Sequence, residues 1–309
     1  MIILRILSQN MMTSVVRLLI HPATWVCVLL AIAPSSSIID YQEEELERTE
    51  LEQKIVPWYA NSPGHTVFGE YVGAHWCGPC MSSASPSLDN LKTSNPEEFT
   101  FVSFFESSSG GWPSDGPINR QTHIMQSSSG YPTFSFADSQ SGSCYKVGAS
   151  GSNYYDSDFS SGGCMSSSSN DFQLEMSMSL NSSTEEVTIT LDSIYTGSLS
   201  SFEVYVYGAV TEKIGADSYD NGVKPHHNWR GWLLNSADSG FQQLTLSQGV
   251  WESHSWTAPL SLVRAGGGYT QWENFWPVFA LMDGPHSSYN EFLVAIDPDM
   301  GPMIDVGIL

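Results

Sequence analysis

Two hydrophobic periods divide the chain. Between residues 62 and 166 the apolar positions form short dense runs separated by a stretch of helical spacing. Thr66 to Ala74 reads as a strand, and Phe99 to Phe105 as a second, strongly aromatic one. Between them Cys80, Met81, Ala84, Leu88 and Leu91 recur at the spacing of one helix face, with Pro86 placed to kink it. A Ser/Gly/Pro loop follows from Ser107 to about Pro117, then a short helix over 118–127, then a strand from Tyr131 to Ala137. Strand, helix, strand, loop and strand predict an α/β sheet with helices on its faces. A serine-rich stretch at 159–170 closes this region. Beyond it the period becomes two: Phe172 to Leu180, Val187 to Leu191 and Phe202 to Val206 alternate apolar with polar positions. Leu244 to Leu246, Trp251 to Trp256, Phe275 to Leu281 and Phe292 to Ile296 extend the set. Seven or eight short strands divided by turn residues predict a β-sandwich over 170–309.

The N-terminus reads as an address. Arg5 and Arg17 precede an apolar run from Ala23 to Ala33, which has the length of a secretory signal core and falls short of a membrane span. Small residues at Ala31, Ala33 and Ser35 suit cleavage, so residues 1–35 are expected to be removed, Cys27 with them. An uncleaved N-terminal anchor is the alternative. Residues 36–61, including the acidic run 40–56, read as a linker or short helix.

Charge narrows the function classes. The 309 residues carry 11 Lys+Arg against 33 Asp+Glu, a net charge of -22. A nucleic-acid surface needs a basic patch to displace counterions, so no nucleic-acid partner is expected. Anionic membrane surfaces are disfavoured for the same reason. The 41% hydrophobic content supports a packed core and excludes global disorder.

Four cysteines remain after cleavage: Cys77, Cys80, Cys144 and Cys164. An even count in an exported chain points to disulfides. Cys77 and Cys80 lie in Ala74-His75-Trp76-Cys77-Gly78-Pro79-Cys80, after a strand and at the opening of a helix. There the helix N–H groups favour a thiolate. Cys77 would attack a substrate disulfide and Cys80 would resolve the mixed disulfide. Gly78 and Pro79 shape the turn. A structural bond or half of a zinc site are the alternatives, but zinc needs two further ligands at matching spacing, and no metal is expected. Copper held by two cysteines and a histidine is harder to set aside. Cys144 and Cys164 bracket a loop rich in Gly, Ser, Asn and Asp, and read as a structural bridge. A second redox pair relaying electrons is the sharper alternative.

The WCGPC sequence in its strand-to-helix position resembles the active site of the thioredoxin family. Gly130-Tyr131-Pro132-Thr133, ahead of a strand, resembles that family's cis-proline loop. The resemblance implies a cis Pro132 against the disulfide, with the Tyr131 backbone pairing with an incoming chain. Trp76 and Pro132 would shape the site. Thioredoxins place a buried acid six positions before the first cysteine, where it helps move the resolving thiol's proton. Glu70 is the nearest candidate here but lies seven before Cys77, so either a bulge restores its face or it is an ordinary exposed acid. His75 either stabilises the Cys77 thiolate or is simply solvated.

In the second half, Lys224-Pro225-His226-His227-Asn228-Trp229-Arg230 precedes a strand pattern. Together with the redox region this resembles the Omp28-like exported proteins, which join a thioredoxin-like domain to a β-sandwich. His226 and His227 are adjacent and would point to opposite faces of a strand, which makes them poor joint ligands. Asp297, Asp299 and Asp305, or Asp156 and Asp158, could hold calcium with help from carbonyls, but neither spacing matches an EF-hand loop. Trp251, Trp256, Trp272 and Trp276 read as sandwich core, with a sugar platform as the alternative.

The expected architecture is an α/β thioredoxin-like domain (62–166) followed by an all-β sandwich (170–309). The expected function is thiol-disulfide exchange with exported protein thiols and disulfides, served by a separate redox partner and no cofactor, in a secreted or cell-envelope location. The rival is a surface or secreted binding protein that uses the redox domain as a scaffold.

Overall fold

The computed structural model describes residues 60–61, 66–107, 120–126, 130–140, 142–165, 171–234, 241–284 and 292–300. The expected signal segment, most of the acidic linker, most of the 107–117 loop, the end of the serine-rich stretch and Asp305 lie outside them. No helix among the described residues is long and apolar enough to cross a membrane.

The first half forms around β2 (Val67–Ala74), a strand buried on both faces. A helical segment leads from it into α1 (Ser85–Ser94) and returns to β3 (Phe99–Glu106), which lies parallel to β2. β2 has no bulge, since the pairing runs in step from Val67↔Phe99 to Ala74↔Glu106. The short helix α2 (Arg120–Met125) precedes β4 (Thr133–Phe136), which pairs antiparallel with the other edge of β2. β5 (Tyr145–Val147) adds an edge to β4, and α3 (Asp156–Ser160) follows. Pro86 shapes α1. It has no N–H to donate and would clash with the carbonyl four residues back. The five residues before α1, Cys80–Ala84, adopt wide turns instead, and the Ser85 N–H reaches the Cys80 carbonyl.

The second half is antiparallel. β6 (Phe172–Asn181), β7 (Glu186–Tyr195) and β11 (Trp251–Pro259) form one sheet with β1 (Ala60–Asn61) at its edge. The alternation read from the sequence places Leu174, Met176, Met178, Val187, Ile189 and Leu191 inward. They pack on Val204, Val206, Leu244, Leu246, Phe279, Leu281, Val294 and Ile296. Those residues belong to β8 (Ser201–Ile214), β10 (Phe241–Ser247), β12 (Phe275–Met282) and β13 (Phe292–Ile296). The missing member is β9 (His226–Trp232), which begins at His226 rather than after Gly231.

The two halves share a sheet. Its order is β13-β12-β8-β9-β3-β2-β4-β5, with β10 on β8. The joint is one parallel pair, Ser103↔Asn228. Phe68 and Val72 of β2 and Val102 and Phe104 of β3 form one core with Tyr207, Trp276, Val278, Phe292 and Ala295. Phe68 meets Phe292 with ring centroids 4.4 Å apart. The molecule is thus mostly β with mixed sheets. One face of β2 and β3 carries α1. Strands of the second half, with α2, cover the other, where the pattern led one to expect helices.

Candidate functional site

Cys77 and Cys80 are joined by a disulfide, with Cα atoms 5.2 Å apart. The end of β2 delivers them. The His75 N–H bonds the Glu106 carbonyl (3.0 Å) and the Cys77 N–H turns back to the Ala74 carbonyl (3.0 Å). Gly78 and Pro79 are already helical, which leaves Cys77 in the capping position. Its Sγ accepts the Cys80 backbone N–H at 3.1 Å, the bond that a side-chain cap normally makes. Cys80 is fully buried and Cys77 is 5% exposed. Beside them Gly78 and Pro79 are exposed, and Trp76 is 49% exposed. An attacking thiol therefore reaches Cys77 first.

The Tyr131–Pro132 peptide bond is cis. The Tyr131 ring stands edge-on to Trp76 (5.9 Å), which stands edge-on to His75 (4.7 Å). The Tyr131 hydroxyl donates to Glu106 Oε2 at 2.9 Å. Burial, then that bond and the Glu106 charge, push the Tyr131 hydroxyl above its ordinary pKa, so it stays a neutral donor. Glu106 thus ties the loop before Pro132 to the strand end that carries His75. The Nδ1 atom of His75 is buried and has no hydrogen-bond partner among the described residues.

Glu70 is neither restored by a bulge nor exposed. It shares its face of β2 with Phe68 and Val72, and its side chain is fully buried. Arg120 of α2 binds it through Nε at 2.9 Å and also binds Asp138 at 2.8 Å. His123 Nε2 lies 2.9 Å from the same Asp138 oxygen. Burial alone would lower the Arg120 pKa, but Glu70 and Asp138 outweigh it and hold the guanidinium charged. The role in cysteine proton transfer expected for Glu70 is corrected accordingly: its carboxylate is committed to Arg120 on the face away from Cys80.

Tyr71, six positions before Cys77, takes the place beneath the pair. It is buried in one cluster with Cys77, Cys80, Ala84 and Leu88. Gly73 gives its ring room, since a Cβ there would lie 2.5 Å from the Tyr71 hydroxyl oxygen. That hydroxyl bonds the Tyr219 hydroxyl at 3.0 Å. Tyr219 comes from the loop between β8 and β9, and nothing in its local sequence marks it. Desolvation raises the pKa of both hydroxyls, so both are neutral.

The other candidates separate. Cys144 and Cys164 are bonded to each other, with Cα atoms 6.2 Å apart. His226 pairs with Asp89 of α1 at 3.0 Å, whereas His227 is buried and stacks between Phe101 and Trp276. Asp297 is taken by Lys92 at 2.7 Å, Asp299 faces Lys213 at 3.6 Å, and Asp158 pairs with Lys146 at 2.8 Å. Trp256, Trp272 and Trp276 pack in or against cores, while Trp251 is 44% exposed. Among the described residues no three His, Cys, Asp or Glu side chains are grouped to hold a metal ion.

No family model matches the chain, and no curated protein matches it. Among solved structures it is similar to HBP35 of Porphyromonas gingivalis, with a TM-score of 0.53 at 12% identity over 76% of this chain and 74% of that one. A β-glucosidase from Kluyveromyces marxianus matches with a TM-score of 0.20 at 12% identity, over 37% of this chain and 12% of the enzyme.

Proposed function

We propose that the chain is an exported thiol-disulfide oxidoreductase acting on protein thiols and disulfides. The observation that carries this reading is the seat of the pair. Cys77 caps a helix with its sulfur on the Cys80 N–H, and Cys80 is sealed beneath. A sulfur that already accepts a helix N–H is the one whose negative charge that N–H stabilises on reduction. A bond serving only to staple loops needs no such asymmetry. The order β3-β2-β4-β5, with β2 and β3 parallel and the cysteine helix between them, also supports a thioredoxin-like reading of the first half.

In the proposed reaction a substrate thiolate attacks Cys77 Sγ and displaces the Cys80 sulfur as thiolate. A second substrate thiolate then attacks the substrate sulfur of the mixed disulfide. Cys77 leaves as thiolate, and two electrons have passed from substrate to the pair. The reverse direction runs through the same mixed disulfide, which Cys80 resolves. Trp76 and Tyr131 form the wall that an incoming chain meets.

The test uses two variants with a disulfide-bonded protein substrate and glutathione as the electron donor. Cys77→Ser is expected to abolish turnover. Cys80→Ser is expected to accumulate a mixed disulfide on Cys77, visible by mass. Turnover by Cys77→Ser equal to that of the unaltered chain sinks the reading.

A further inference from the structure

The helix that carries Cys80 is gripped along one stripe by the second half. Ser85, Asp89 and Lys92 stand at i, i+4 and i+7 of α1, so they share a face. Asp89 binds His226 at 3.0 Å, and Lys92 binds Asp297 at 2.7 Å. At the redox pair itself the contact is Tyr219, whose hydroxyl lies 3.0 Å from that of Tyr71 in the cluster that holds Cys77 and Cys80. Ser85 is the residue whose N–H closes the wide turn onto the Cys80 carbonyl. Asp220, next to Tyr219, donates its N–H to the His75 carbonyl at 3.0 Å. Two successive residues of one loop therefore hold the strand before Cys77, Tyr219 at Tyr71 and Asp220 at His75, while His226 and Asp297 of the same half hold the helix after Cys80.

That loop is itself braced. The Ala216 N–H bonds Glu212 Oε2 (2.8 Å), Asp217 pairs with Arg264 (2.8 Å), and the Lys224 ammonium bonds the Ala216 carbonyl (2.9 Å). The Tyr219 N–H bonds the Val223 carbonyl at 2.8 Å, and the Tyr219 ring packs edge-on against Phe105 at 4.9 Å. It is 2% exposed.

We propose that Tyr219 is a positioning residue for the Cys77–Cys80 pair, through which the second half holds the cysteine flanks together and biases the pair toward the disulfide. The inference rests on the redox reading above. Reduction by glutathione breaks one S–S bond. Two glutathione thiols yield two electrons and two protons, leaving two cysteine thiols and one glutathione disulfide. The freed sulfurs must then move apart, and a clamp on both flanks opposes this. It raises the effective concentration of one thiol at the other, and that lowers the reduction potential.

The full chain and its Tyr219→Phe and Tyr71→Phe variants would be equilibrated in graded glutathione buffers, alkylated and weighed. Both substitutions remove a hydroxyl and keep the packing. The expected result is a three- to tenfold fall in effective thiol concentration, an upward shift of about 15 to 30 mV. Cys144–Cys164 should stay bonded throughout. Potentials equal to that of the unaltered chain in both variants, even with a lowered melting temperature, overturn the inference and leave Tyr219 as packing only. If the unaltered pair itself resists reduction below about -300 mV, it behaves as a structural bond. The functional reading then fails, and this inference fails with its premise.

Discussion

Glu70 and Tyr71 are neighbours in β2 and face opposite ways, and this parity decides what each can do. Glu70 is sealed with Arg120 and Asp138, and Tyr71 is sealed with the cysteines. Removing one partner of a buried ion pair leaves the other charge uncompensated, at a cost of about 3–5 kcal/mol. Glu70→Gln should therefore lower stability by that order in urea melts, while the Cys77–Cys80 reduction potential and the pH profile of exchange stay in place. A new or missing ionisation in that profile would return Glu70 to the redox chemistry. His227 offers a second residue-scale test. Desolvation, with Lys92 and His226 nearby, lowers its pKa from 6.5 to about 3 despite Asp299 and the Phe101 carbonyl. The folded state then binds fewer protons than the unfolded state below pH 6.5. Stability is full above that value and falls as pH drops toward 3, at about 1.4 kcal/mol per pH unit. Between pH 6.5 and 5 the loss should approach about 2 kcal/mol, and His227→Gln should flatten it. An unchanged slope in the variant would assign the loss to other groups. Local sequence was enough to place Cys77, Cys80, Trp76 and Tyr131. It was silent on Tyr219, which meets Tyr71 across 148 positions.

Elements were legible where a period or a punctuating residue marks them. β13 runs from Phe292 to Ile296 and β6 from Phe172 to Asn181, both where apolar positions recur at short spacing. Pro86 marks the break that the wide turn of Cys80–Ala84 makes good. β9 was hidden because His226, His227 and Asn228 look like loop chemistry. Their partners Asp89 and Phe101 come from the other half of the chain. His227 even takes φ +49°, a left-handed backbone that no strand pattern anticipates. β2 shows how tightly these elements pack. A Cβ on Gly69 would overlap the Phe134 ring, which is fully buried and has no room to retreat. Gly69→Ala should therefore cost about 1–3 kcal/mol by overpacking. A urea midpoint equal to that of the unaltered chain would show that β4 can shift to make room.

On the scale of the whole molecule, the change of period near residue 170 marks a change of architecture within a continuous body. The pattern from 62 to 166 looks self-sufficient because its aromatic strands could bury themselves under helices. The far face of β2 and β3 is instead closed by Tyr207, Trp276, Val278 and Phe292 of the second half. Removing that half would expose Phe68, Val72, Val102 and Phe104, all fully buried. At about 1.5–3 kcal/mol per side chain, the loss matches the net stability of a whole domain. It would also strip α1 of His226 and Asp297 and the cysteine turn of Tyr219. Residues 66–300 should thus unfold in one calorimetric transition, with calorimetric and van't Hoff enthalpies equal. A fragment ending at residue 165 should lack a cooperative transition of its own. Two resolved transitions, or a fragment that melts cooperatively, would mean that the first half closes its second face without help. Tyr219 would then act as a contact between autonomous domains, and redox control by the second half would depend on docking rather than on folding.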